Sequence, residues 1–188
     1  MKSHAGRLLI ASPFLRDENF FRTVILMVRH DEEGAFGLVL NRQTTHRVSH
    51  VLQDVLQLDA LIPRRDHLFL GGPVTGPMIV LHDVPGIGDP IPDDDGDAPV
   101  WMTADENEIC TLARETQQRC RFFVGYSGWG EGQLEREIAS GDWMLADSDN
   151  WAVFDSPEDI WKTTLDVAGR EVLGVAVPDA RHADPLLN

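Results

Sequence analysis

The apolar residues of this chain come in short packets, and that limits the folds open to it. The longest β-branched block, TVILMV at residues 23–28, is as long as one buried strand. No apolar run approaches the roughly 20 residues that a membrane-spanning helix needs. Between the packets stand Gly, Pro, Asp and Asn, which favour turns or break regular pairing. Such a pattern calls for many short strands joined by tight corners.

Read along the chain, GRLLIA at 6–11, TVILMVRH at 23–30 and AFGLVLN at 35–41 are strand-like, the last two joined into a hairpin by DEEG. RVSHVLQDVLQL at 47–58 places Val48, Val51, Leu52, Val55 and Leu56 near helical spacing. HLFL at 67–70 and MIVL at 78–81 flank the corner GGPVTGP. Residues 84–99, dense in Pro, Gly and Asp, have no apolar period and are expected to form a long mobile loop. Thr103 and Glu106 form a capping-box pair opening a helix to about Arg119. Arg121 to Tyr126, Trp143 to Leu145 and Trp151 to Phe154 read as strands, and Ser156-Pro157 opens a last helix through about Val167. Short strands mixed with three or four helices favour α+β over a doubly wound sheet. The length, 188 residues, suits a single domain over residues 1–188.

Charge restricts the partners. The formal net charge is −15, which opposes binding a polyanion. Residues 1–82 are close to neutral, with nine Lys/Arg against eight Asp/Glu, so the excess acid lies beyond them. Any nucleic-acid surface would use Arg42, Arg47, Arg64 and Arg65. Cys110 and Cys120 lack C-x-x-C spacing and read as free thiols of a reducing compartment. The N-terminal apolar stretch carries no convincing cleavage site. A soluble, cytoplasmic protein is therefore expected.

The catalytic templates fail at named positions. In GYSGW, residues 125–129, Trp129 stands where the nucleophile elbow G-x-S-x-G needs its second glycine, and only His182 follows Ser127. A phosphate cradle at Gly128, Gly130 and Gly132 would be opposed by Glu131 and Glu135, and no Lys-Ser/Thr pair follows. Gly141 suits the end of the short helix that follows. His46 and His50 are one helical turn apart, but Arg47 replaces the glutamate of H-E-x-x-H. Asp93, Asp95 and Asp97 alternate as in a calcium loop, yet Ala98 and Ala104 occupy the positions that need Gly and Glu. No metal or cofactor is expected.

Three blocks carry a resemblance: GRLLIASPFLRDENFFRTVILMVRHDEEGAFGLVLNR at 6–42, FLGGPV at 69–74 and VGYSGWGEGQLEREIASGDW at 124–143. Together they resemble the YqgE/AlgH family of bacterial proteins, with Ser127 in place of the usual alanine. The resemblance implies one α+β domain whose mixed or antiparallel sheet curls into a partial barrel, with GYSGW a structural corner anchored by Trp129. It implies no established enzymatic activity. Some members are labelled transcriptional regulators, but no helix-turn-helix or zinc module is recognisable in this sequence.

These residues support three functions. The first is a non-catalytic accessory or regulatory protein that binds a protein or small molecule. The second is a nucleic-acid-linked regulator using the four arginines. The third is an undiscovered enzyme or ligand site built from the polar positions Asp17, Arg22, His30, Asn41, Gln133 and Glu135. Such a set could form an acid–base cluster or a buried network that specifies the fold.

Overall fold

Strands apolar at consecutive positions, such as LLIA and VILMV, must be covered on both faces. In the computed structural model, which describes residues 3–56, 62–92, 100–148, 153–154 and 160–172, two stacked sheets meet that demand. The first contains β1 (Leu8–Ala11), β2 (Val24–Asp31), β3 (Gly34–Val39), β10 (Ser127–Gly130) and β11 (Trp143–Ala146), in the antiparallel order β10-β3-β2-β1-β11. The second contains β4 (Gln43–Arg47), β5 (His67–Leu70), β6 (Ile79–His82), β7 (Asp89–Ile91), β8 (Val100–Thr103) and β9 (Cys120–Val124), in the order β4-β5-β9-β6-β8-β7. Strands β5 and β9 run parallel, and the other pairs of this sheet antiparallel.

Side-chain alternation sorts the packing. Leu8, Leu26 and Leu38 of the first sheet meet Phe69, Leu81 and Phe123 of the second in the central core. Leu9, Ile25, Met27 and Val39, one residue out of phase, face the other way and are covered by Leu134 of α3 (Gln133–Ala139) with Trp129 and Trp143. On the far side of the second sheet, Val80 and Phe122 pack under α1 (Val48–Leu56) and α2 (Glu106–Arg114). Helix α4 (Ile160–Val172) covers Ile10 and Ala146 through Ala168. The result is α+β, with four helices among the described residues and a mixed second sheet.

The α+β class with a mixed or antiparallel sheet is as expected, laid out as two sheets with edges at β10, β11, β4 and β7 and no closed barrel. Expectations for single elements are corrected. The expected loop at 84–99 contains β7, because Ile91 turns into the core and Pro90, which cannot donate to a ladder, is tolerated at a sheet edge. Residues 93–99, including Asp93, Asp95 and Asp97, lie outside the described residues. Helix α2 is capped by Asp105, whose Oδ1 accepts from the amides of Asn107 and Glu108 at 2.9 and 3.1 Å. Thr103 Oγ1 instead bonds Glu108 Oε2 and the Asp105 amide. The helix stops at Arg114, since Glu115 is already extended. Val153 and Phe154 are helical, against the strand expected there; Trp151, Ser156 and Pro157 lie outside the described residues.

Candidate functional site

The corner GYSGW carries the chain from one sheet to the other. Strand β9 ends at Val124, Gly125 turns with φ 70°, and Ser127 to Gly130 join the first sheet as the edge strand β10. Gly71 sits against this crossing: its amide donates to Val124 O, and a Cβ on it would lie 2.4 Å from Gly125 O. Ser127 is fully buried, and its Oγ donates to Gly71 O at 3.1 Å. The expectation of a structural corner stands, but half of it is strand.

The six polar candidates fall in separate places. Asp17 is exposed and closes a turn, its Oδ1 accepting from the Asn19 amide. Arg22 has φ 55°, and its guanidinium lies 4.9 Å from the Phe21 ring centre and 5.3 Å from that of Trp161. Asn41 ties this turn to the hairpin, accepting from the Val24 amide and donating to Arg22 O. About His30, with a side chain only 1% exposed, a second group assembles. Its Nδ1 accepts from the His4 amide at 3.0 Å, its Nε2 lies 2.8 Å from Glu135 Oε1, and the His4 ring stacks on it. Glu135 sits below the usual carboxylate range, first through its own backbone amide and then through His30. Gln133 bonds the Gly130 amide and Glu137 Oε1, apart from both. The structure brings together Arg22 with Asn41, and His30 with Glu135, but not all six.

Three of the four candidate nucleic-acid arginines donate to backbone carbonyls of the fold, and one of them, Arg64, is buried. Arg42 donates to Phe21 O, and partial burial lowers its pKa. Arg47 donates to Arg65 O at 2.5 Å. Arg64 is buried, donating to Leu112 O, Gln118 O and Asp66 Oδ2, each at 3.0 Å, and lying over the Phe122 ring.

Arg64 and Arg65 nevertheless belong to a larger feature, a cleft of about 680 Å³ at the β4-β5-β9 end of the second sheet. Arg119, Arg121, His67, Phe69, Cys120 and Phe154 also line it. Arg121 is buried, reaching Leu40 O at 3.0 Å and lying 4.6 Å from the Phe69 ring centre. Arg119 pairs with Asp83 Oδ2 at 2.8 Å and covers the Phe154 ring. Burial pushes the Cys120 thiol up to about 11, with Arg64 opposing. Sequence reasoning passed over Arg119 and Arg121. The signal lay in RCRFFV at 119–124, two arginines at the mouth of a buried strand in the acidic part of the chain.

A second cleft of about 750 Å³ opens between the sheets, with Phe36, Val74, Met102, Tyr126 and Trp129 in its walls and Arg29 and Asp89 among its polar groups. Here GYSGW and FLGGPV meet, through the bridge between Val74 and Tyr126. Among the described residues no group of three or more His, Cys, Asp and Glu is placed to hold a metal ion. No helix among them is long and apolar enough to cross a membrane.

The AlgH-like family model matches residues 8–173. A relative from Streptomyces avermitilis, named only as a UPF0301 protein, is 36% identical and aligns over 100% of this chain and 97% of its own. Another UPF0301 protein, from Cytophaga hutchinsonii, is 35% identical over 85% and 87%. The solution structure of the AlgH protein from Pseudomonas aeruginosa matches with a TM-score of 0.71 at 28% identity, over 93% of this chain and 95% of that one. A crystal structure of a Corynebacterium diphtheriae protein, at 23% identity and a TM-score of 0.62 over 95% and 90%, shares the fold. The chain belongs to the AlgH-like family, the YqgE/AlgH family that its three sequence blocks resemble.

Proposed function

We propose that this chain is a non-catalytic binding protein, an accessory or regulatory component that holds a small ligand or a protein partner. The observation that carries this reading is the state of His30. Its Nδ1 accepts from a backbone amide, so the ring proton sits on Nε2 and points at Glu135. A general base needs a lone pair aimed at a substrate proton. In His30 that lone pair faces the His4 amide inside the fold. The Ser127 hydroxyl of the GYSGW corner is likewise spent on the Gly71 carbonyl. A cytoplasmic location fits the two free cysteines.

A metabolite screen read for turnover, with binding followed by thermal shift, tests the proposal. Stabilisation by a compound that is not consumed is the expected result. Turnover of any compound, lost on substituting Asp17, Arg22 or His30, would overturn it. The nucleic-acid reading has less support, because Arg42, Arg47 and Arg64 donate to backbone carbonyls within the fold. A low-salt filter-binding assay is expected to retain no DNA or RNA.

A further inference from the structure

We infer that the arginine-lined cleft at the β4-β5-β9 end of the second sheet is a binding site for a small phosphate-bearing molecule of about nucleotide size. The inference rests on the reading of the chain as a binding protein and names the ligand class.

The argument begins with charge. The whole chain has sixteen Lys and Arg against thirty-one Asp and Glu. Four of those sixteen, Arg64, Arg65, Arg119 and Arg121, line this one cleft; Asp66 pairs with Arg64 and Asp83 with Arg119, so four cations face two carboxylates there. Concentrating cations in a concave wall of an acidic protein focuses positive potential there. A dianionic or trianionic phosphate group answers that potential better than a single carboxylate. Arginine's planar fork suits phosphate oxygens because it can donate two parallel bonds.

The arrangement is also fixed in advance. Arg64 and Arg121 are 5% and 6% exposed, and backbone carbonyls and aromatic rings orient their guanidinium groups. They set the field of the cleft wall without having to be ordered when a ligand arrives. Arg65 and Arg119 are exposed; Arg119 spends its Nε on Asp83, which leaves its terminal nitrogens, with the Arg65 guanidinium, as the donors that a phosphate can reach. Arg119 rests on the Phe154 ring, which keeps its fork at the wall. Size points beyond inorganic phosphate: about 680 Å³ lies within the range of clefts that hold drug-sized ligands. Phe69 and Phe154 offer apolar surface for the organic part.

The test is an isothermal titration of the full chain at low ionic strength with pyrophosphate, ADP, citrate and a short single-stranded oligonucleotide. Saturable binding of ADP and pyrophosphate, weakened by added salt and about tenfold by Arg65→Gln or Arg119→Gln, is expected. Arg29→Gln, an arginine of the other cleft, should leave it unchanged. Thermal denaturation of each variant without ligand shows whether the fold survives. No binding of either phosphate compound overturns the assignment while leaving the binding-protein reading in place. So does binding that survives the double variant R65Q/R119Q, equal binding of citrate, or retention of the oligonucleotide alone. Release of phosphate from ADP would support the site and overturn the non-catalytic reading.

Discussion

At the scale of single residues, the polar groups of this chain mostly satisfy one another. Glu137 is the clearest case: its Oε2 accepts from the indole N–H of both Trp129 and Trp143 at 2.8 Å, and Oε1 from Gln133. Both indoles are buried. Glu137→Ala would leave two buried donors unpaired, so a loss of about 2–4 kcal/mol is expected, measured by urea denaturation. Glu137→Gln, which keeps an acceptor oxygen, should lose less; equal losses would show that helix packing dominates. His82 makes a different prediction. It is fully buried, its Nδ1 accepts from the Val84 amide and its Nε2 has no hydrogen-bond partner among the described residues. Burial lowers its pKa from the ordinary 6.5, with Asp83 and Glu108 opposing. Below that value the unfolded chain takes up a proton that the folded chain refuses, so this contribution is present above 6.5 and lost as pH falls. The urea midpoint should therefore drop between pH 7.5 and 5.5, and His82→Gln should flatten that slope. Glu135, lowered from 4.5, acts in a more acidic window and does not confuse the result. An unchanged slope in the variant would assign the pH dependence to other groups.

At the scale of elements, the joint between the sheets is the crossing at Gly125 and its contact with Gly71. Gly125 combines φ 70° with a would-be Cβ 2.8 Å from Gly72 O. Gly125→Ala should cost about 2–4 kcal/mol by denaturant titration, from strain plus the clash. Gly128, three residues on, would place its Cβ 3.4 Å from the Tyr126 ring, an ordinary contact. Gly128→Ala is therefore expected to stay within about 0.5 kcal/mol. Equal losses would mean that the motif's glycines serve alike as turn formers, as the sequence alone suggests. That contrast marks what was legible. Strands β1, β2, β3, β5, β6 and β9 announce themselves because their packets are apolar on both faces, and α1 because its valines and leucines recur at helical spacing. Strand β10 is hidden because SGWG has one large apolar residue, and β7 because its Pro and Asp read as loop. Both are edge strands, where pairing on one side asks little of side chains. Of the candidate site, the pairing of His30 with Glu135 spans 105 residues, and no local period encodes such a contact. Arg64 illustrates the same limit: as sequence it is half of an exposed-looking Arg-Arg pair, as structure a buried post under Leu112 and Gln118.

At the scale of the whole molecule, the described elements stack in layers: α3, the first sheet, the second sheet, then α1 and α2, with α4 against one end of the first sheet. Both clefts lie where this stacking leaves a sheet uncovered, one between the sheets beside β10 and β7, the other at the β4 end. A ligand in either would touch edge strands and connecting segments while the doubly covered strands stay fixed, which is what the proposed binding role asks of the fold. This arrangement predicts a gradient of local stability. Strand β2 lies between β1 and β3 with apolar cover on both faces, and β6 lies likewise between β9 and β8. Their amides should open only with the whole structure, while β10, β7 and β4, each paired on one side, should exchange through smaller openings. Native-state hydrogen exchange followed residue by residue tests this. The expected result is slowest exchange at Ile25, Leu26, Val80 and Leu81, with β7 and β10 orders of magnitude faster. If β10 were as protected as β2, its outer edge would have to be covered in solution. Repeating the exchange across a range of protein concentrations would then show whether a second copy of the chain covers it, because protection that rises with concentration requires association.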